Sequence, residues 1–205
     1  FLDIERMTSQ QSRIRIGIVG HGNLGRGVEA AVAKNPDMQM VGIYTRRDPA
    51  QLTPHIAGTP VYAMAELNSH VGQVDVLVLC GGSKDDLPVQ SPELAARFCV
   101  VDSFDTHARV PEHFAAVDKA ATAGQTTALI SAGWDPGMFS LNRVMGQALL
   151  PDGATYTFWG KGLSQGHSDA IRHVPGVAGG VQYTIPVEAA VNEVRSGSRP
   201  QLSTR

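Results

Sequence analysis

This chain predicts an α/β fold built on a doubly wound parallel sheet, and three observations carry the prediction. From Ile14 onward, short apolar runs alternate with helical patterns of about ten to fifteen residues. The runs are apolar throughout rather than alternating, as strands covered on both faces must be. A Gly-x-Gly-x-x-Gly sequence, Gly20 to Gly25, follows the first run directly and opens the first helical pattern. That is the context in which such glycines carry meaning.

The elements follow in order. Ile14 to Val19 reads as a buried strand and Leu24 to Lys34 as a helix. Met38 to Tyr44 is a second strand, and the Pro/Gly-punctuated stretch from Asp48 to Pro60 is a loop or irregular crossover. Met64 to Val71 is a short helix, and Val74 to Cys80 a third strand. Ser91-Pro92-Glu93 caps a helix ending near Phe98, with Pro in its first turn. Cys99 to Asp102 is a fourth strand, and Pro111 to Ala123 a helix stopped by Gly124. Thr127 to Ser131 is a fifth strand and Gly137 to Leu150 a helix. Past Pro151 the rhythm changes. Ala154 to Trp159 and Val181 to Ile185 read as strands of a different sheet, joined by glycine-rich sequence, with a helix from Val187 to Ser196. Residues 13–150 are therefore expected as one domain, of the Rossmann type, and 151–205 as the start of an α+β substrate or dimerisation domain. Two strands and a helix bury too little apolar surface to stand alone, so the second domain is expected to be truncated. Residues 1–12 are expected as a disordered extension, with Met7 reading as a start preceded by extra residues.

Composition removes several function classes. A net charge of −2 without any basic cluster gives no footprint for nucleic acid. No apolar run approaches the roughly 18 residues of a membrane span, and the acidic opening residues are no secretory signal. A cytoplasmic location follows as the default. Cys80 and Cys99 border apolar runs without Cys-x-x-Cys spacing, which suits reduced core thiols, and the seven histidines lack ligand spacing. No metal site is expected.

The chemistry-bearing residues fall at strand ends. Gly20 allows a tight turn, Gly22 lets backbone approach a pyrophosphate, and Gly25 lets helix and strand pack closely. Helix N-terminal amides then face the phosphates. A merely structural glycine turn is the alternative. At the end of the second strand an NAD enzyme would place an acid for the ribose 2′-hydroxyl. Here stand Thr45, Arg46 and Arg47, whose hydroxyl and guanidinium groups suit a 2′-phosphate and favour NADP over NAD, the alternative being a pair of solvated loop arginines. Gly81-Gly82-Ser83 follows the third strand, with Ser83 as a donor to ribose or phosphate, or equally as part of a helix cap. Asp105 follows the fourth strand and Asp135 the fifth, bringing two carboxylates to the same edge. Asp135 before Pro136 would also serve as an ordinary helix N-cap, and Asp105 would hold a turn. Thr157 to Asp169 is the densest glycine-rich polar stretch; it suits wrapping a ligand, or a flexible interdomain loop.

Together these stretches resemble the meso-diaminopimelate dehydrogenase family. The resemblance rests on Gly22-Asn23-Leu24-Gly25, on Gly133 to Ser140, on Phe158-Trp159-Gly160 and on Gly162 to Asp169, and runs from about Arg13 to the end of the chain. It implies an NADP-dependent oxidation of the D-centre of meso-2,6-diaminopimelate. The products are L-2-amino-6-oxopimelate, ammonia and NADPH, and the reverse reaction serves lysine and cell-wall precursor synthesis. It also implies a homodimer and a chain longer by roughly a hundred residues. Carried over residue by residue, cofactor contacts fall on His21, Gly22, Asn23 and Leu24, on Thr45, Arg46 and Arg47, and on Lys84, Asp85, Asp86 and Leu87 beside Gly82 and Ser83. Others fall on His107, Ala108 and Arg109, and on Pro136, Gly137, Met138, Phe139 and Ser140. Substrate contacts fall on Asp105, Asp135, Trp159, Gln165, Gly166 and Thr184. Lys161, His173 and Lys84-Asp85 depart from the family pattern. Asp105 and Asp135 are the catalytic candidates, one of them accepting a proton from the amine directly or through water. Two other functions fit the same residues: a different NADP-dependent amino acid dehydrogenase or dihydrodipicolinate reductase-like enzyme, and a non-catalytic NADP(H)-binding regulatory domain.

Overall fold

A computed structural model describes residues 13–153 and 161–198. Compact packing divides the chain after Asn142 into two units.

In the first unit, six parallel strands form one sheet: β1 (Ile14–Val19), β2 (Met38–Thr45), β3 (Val61–Ala63), β4 (Val76–Leu79), β5 (Cys99–Asp102) and β6 (Ala128–Leu129). Their spatial order is β3-β2-β1-β4-β5-β6, the doubly wound Rossmann order that the sequence predicts. Strand order reverses between β1 and β4. Helix α1 (Asn23–Lys34) joins β1 to β2 in one direction; α2 (Leu87–Ala95) and α3 (Val110–Gly124) join β4 to β5 and β5 to β6 in the other. With right-handed crossovers, opposite directions put α1 on one face and α2 with α3 on the other. Both faces are thus covered, which is why Ile18, Ile43, Leu77 and Leu79 are wholly buried.

Several boundaries differ from the sequence expectation. β3 was not anticipated: Val61-Tyr62-Ala63 is too short to show a period, and it pairs with β2 at the sheet edge. α2 begins at Leu87 rather than Ser91. Pro88 occupies its first turn, so Pro92 lies inside the helix and forfeits a backbone hydrogen bond there. The tolerance has a reason in burial, because Leu87, Ser91 and Leu94 form the inward stripe. At the end of α3, Gln125 and not Gly124 takes the left-handed conformation, at φ 54°. Gly124 instead lies against the backbone carbonyl of Ala96, where any Cβ would collide. β6 keeps only two residues of the five expected.

Helix α4 (Met138–Leu149) contains the division after Asn142. The second unit holds β7 (Gly162–Ser164), α5 (Gln165–Arg172), β8 (Gln182–Thr184) and α6 (Glu188–Arg195). β7 and β8 pair antiparallel. The stretch expected as a ligand-wrapping loop is therefore a strand followed by a helix from Gly162 onward. The expected strand Ala154 to Trp159 and the extension 1–12 lie outside the described residues. Among the described residues no helix is long and apolar enough to cross a membrane.

Candidate active site

All six strands of the first unit are parallel, so the loops after β1, β2, β4, β5 and β6 open on one edge. Hydrogen bonds tie these loops into a row. Arg47 Nη2 donates to the His21 carbonyl at 3.2 Å, joining the loops after β2 and β1. Arg46 Nη1 meets Asp86 Oδ1 at 2.8 Å, joining β2 to β4. The Asp105 amide donates to Ser83 Oγ at 2.8 Å, joining β4 to β5. The Ser131 amide donates to Asp102 Oδ1 at 2.8 Å, joining β5 to β6.

The glycine turn has the form a pyrophosphate requires. Gly20 has φ +89°, and a Cβ on Gly25 would strike the Gly20 carbonyl. Gly22 is the N-cap residue of α1, with no side-chain cap, no acid in the first turn and nothing within 4 Å of its would-be Cβ. Open space in front of uncapped amides fits a bound anion. Asn23 and Leu24 form the exposed start of the helix.

The His21 side chain is buried, with Nε2 2.7 Å from Glu29 Oε2, which leaves its backbone facing the turn. Glu29 also accepts from the amides of His55 and Ile56 and from the Thr59 hydroxyl. Burial pushes its pKa up, but the hydrogen bonds from Ile56, His21, His55 and Thr59 outweigh that and hold the carboxyl below its ordinary value. The turn is thereby latched from behind to α1 and to the crossover loop.

Thr45 also turns inward. It is buried, and its Oγ1 accepts the Arg47 amide at 3.1 Å, so the hydroxyl shapes the turn that presents the arginines. Arg46 and Arg47 are exposed. After β4, Gly82 donates its amide to Asp86 Oδ2 at 2.9 Å. Burial pushes the Asp86 pKa up; the Gly82 amide and the Arg46 guanidinium bring it to a net value below the ordinary one. Lys84 and Asp85 are exposed at this edge. Leu87 is not a side-chain contact: it is fully buried, and its amide donates to the Gly82 carbonyl.

Asp105 and Asp135 are both exposed and follow β5 and β6, neighbours in the sheet. Asp135 precedes a cis bond to Pro136, and the bridge between Gly133 and Gly137 closes the turn that leads into α4 through Met138, Phe139 and Ser140. Trp134 packs against Phe139 with ring centroids 5.0 Å apart. His107, Ala108 and Arg109 form an exposed turn of 3₁₀ helix ahead of α3, and Arg109 pairs with Glu112 at 3.2 Å. In the second unit, Gln165 and Gly166 open α5 directly after β7, while Thr184 ends β8 opposite Gly162. Trp159 lies outside the described residues.

Four polar residues to which the sequence analysis gave no part in the site support it from behind: Glu29, Ser91, Asp102 and His113. All are buried, and three share one signal. Glu29 lies on the inward stripe of α1 with Gly25 and Val32, Ser91 on that of α2, and His113 on that of α3 with Val117 and Ala121. A polar group on an apolar stripe needs a partner.

Comparison with known proteins bears on this arrangement. Residues 133–205 match the family model for the diaminopimelic acid dehydrogenase C-terminal domain. The meso-diaminopimelate D-dehydrogenase of Ureibacillus thermosphaericus is 58% identical over 194 residues, or 95% of this chain. The corresponding protein of Corynebacterium glutamicum is 49% identical over 192 residues. Over the span it covers, the chain is similar to these meso-diaminopimelate D-dehydrogenases. It spans 59% and 58% of those two relatives' lengths. Among solved family structures, the C. glutamicum dehydrogenase in complex with DAP superposes with a TM-score of 0.81 at 49% identity. An engineered D-amino acid dehydrogenase bound to NADP+ does so at 0.80 and 47%. Each match covers 94% of this chain; the chain covers 58% and 59% of the two structures.

Proposed function

We propose that the full-length protein catalyses the reversible NADP-dependent oxidative deamination of meso-2,6-diaminopimelate at its D-centre. The products are L-2-amino-6-oxopimelate and ammonia. One observation carries this reading beyond family likeness: two exposed carboxylates, Asp105 and Asp135, follow adjacent strands at the edge that also holds the glycine turn. An amine approaching that edge meets two acceptors, and a dinucleotide meets uncapped helix amides and two arginines.

When bound, the nicotinamide would take the hydrogen and its electron pair from the carbon bearing the amine. The chain's own residues do the rest. Gly22 to Leu24 present backbone to the pyrophosphate, and Arg46 with Arg47 suit the 2′-phosphate. Asp105 and Asp135 hold the ammonium, and one of them, directly or through water, takes the proton that leaves a neutral amine. The C–H bond then breaks as C=N forms, and water adds to the imine to release ammonia. Positioning supplies most of the acceleration. Gln165, Gly166, Thr184 and Trp159 are proposed as further substrate contacts. The lysine pathway, a cytoplasmic location and a homodimer belong to the same proposal.

The test is NADP+ reduction by the full-length protein with meso-, LL- and DD-diaminopimelate and simple D-amino acids side by side. Turnover of the meso form above all others is expected. Preference for a simple D-amino acid would indicate a different amino acid dehydrogenase. Tight NADPH binding without turnover of any amino acid would indicate a regulatory domain.

A further inference from the structure

Asp102 ends β5 and is 1% exposed. Its Oδ1 accepts the amides of Phe104 at 3.1 Å and Ser131 at 2.8 Å. Its Oδ2 accepts the Ser91 hydroxyl at 2.6 Å and faces His113 Nε2 at 2.7 Å. An ionised carboxylate offers about four acceptor sites, and here four partners occupy them. Nothing is left for a ligand. The side chain instead joins α2, α3 and the loops after β5 and β6.

Those two loops carry the candidate acids. Phe104 immediately precedes Asp105, and its ring stacks on His113 with centroids 4.1 Å apart and planes at 17°. The Asp105 amide is held from the other side by Ser83. Ser131, at φ 55°, begins the turn that reaches Asp135, and the next amide, that of Ala132, donates to the Asp102 carbonyl. A buried carboxylate is a poor choice for stability alone, since apolar residues of similar volume often do as well. It is a good choice where backbone amides of two loops must be kept at one spacing.

We propose that Asp102 and His113 are positioning residues that set the separation of Asp105 and Asp135, and so govern orientation of the substrate amine more than affinity for the cofactor. The glycine turn and the arginines hang on β1 and β2, across the strand-order reversal from this cluster. The inference rests on the proposed dehydrogenase function.

Three variants of the full-length protein test it: Asp102→Ala, Asp102→Asn and His113→Gln. Asp102→Asn keeps Oδ1 for the two amides; Ser91 can turn its hydroxyl and His113 can change tautomer to face the new amide group. Asp102→Ala leaves both loop amides unpaired. Asp102→Ala should lower kcat for meso-diaminopimelate about 30-fold or more, the scale of an ångström-level misplacement. His113→Gln should lower it about tenfold. Asp102→Asn should recover to within about fivefold of wild type. The KM for NADP+, and the NADPH Kd read from its fluorescence, should change by at most about a third of the factor by which kcat falls. If Asp102→Ala does not fold, His113→Gln carries the same split between kcat and cofactor affinity, with Asp102→Asn as the conservative control. A folded Asp102→Ala or His113→Gln variant with kcat near wild type, or with cofactor affinity falling in step with kcat, would overturn the proposal. An inactive wild type sinks the dehydrogenase function itself, which an active wild type with indifferent variants does not.

Discussion

Arg46 at the end of β2 forms an ion pair with Asp86 ahead of α2, bridging the two loops that flank the end of β1. The pair lies where a nucleotide phosphate is expected to find its cation. Its Arg46 side chain is 67% exposed, so the interaction contributes at most about 1 kcal/mol. A dianionic 2′-phosphate can therefore displace Asp86. Arg46→Ala should weaken NADP+ binding by about tenfold or more, on the scale of a lost charge-assisted hydrogen bond, and leave NAD+ nearly unchanged. Asp86→Asn, which retains an acceptor for the Gly82 amide, should tighten NADP+ by about threefold. Calorimetric Kd values for both cofactors decide this; equal changes for NAD+ and NADP+ would remove Arg46 from 2′-phosphate recognition.

Glu29 should link cofactor-turn stability to pH. Its folded pKa lies below the ordinary glutamate value of 4.5, so its contribution is present above that value and is lost as pH falls through the folded pKa. Glu29→Gln should cost about 2 kcal/mol near pH 7 and lower Tm by roughly 4–8 °C. The gap to wild type should shrink below about pH 4. Parallel melting curves across that range that never converge would contradict the assignment.

Asp135→Ala should lower kcat/KM for meso-diaminopimelate about a hundredfold or more, with the NADPH Kd preserved. Steady-state kinetics on the full-length protein measure it. Near-normal activity would leave Asp135 as a turn residue only.

Cys80 follows β4 at the edge of the candidate site, yet burial pushes its thiol pKa up to about 12. Almost no thiolate exists at neutral pH, and the thiolate is the reactive form. Iodoacetamide at pH 8 should modify Cys80 far more slowly in the native protein than in denaturant, read by mass spectrometry. Rapid native alkylation would show that the loop after β4 opens.

Much of this was legible in the sequence because period and punctuation are local. β1 and the fourth expected strand, Cys99 to Asp102, match residue for residue, since runs buried on both faces need no partner to be recognised. The glycine turn was legible for the same reason. What escaped depends on partners distant in sequence. Nothing near Glu29 announces that His55, Ile56 and Thr59 will bond to it, and Ser131 lies 29 residues from Asp102. His21 and Thr45 lie at the expected edge with their side chains turned inward, which strand-end position alone does not reveal. The onset of α2 was misplaced because Pro88 and Pro92 both suit a first turn, and only the buried stripe chooses between them.

Gly124 gives the ligand edge an unexpected sensitivity. α3 is a rod of about 22 Å, pinned at its far end where Gly124 abuts Ala96, with His107 to Arg109 just ahead of its near end. A side chain at 124 would act as a wedge beneath one end of a lever. Glycine there preserves the aim of a loop it never approaches.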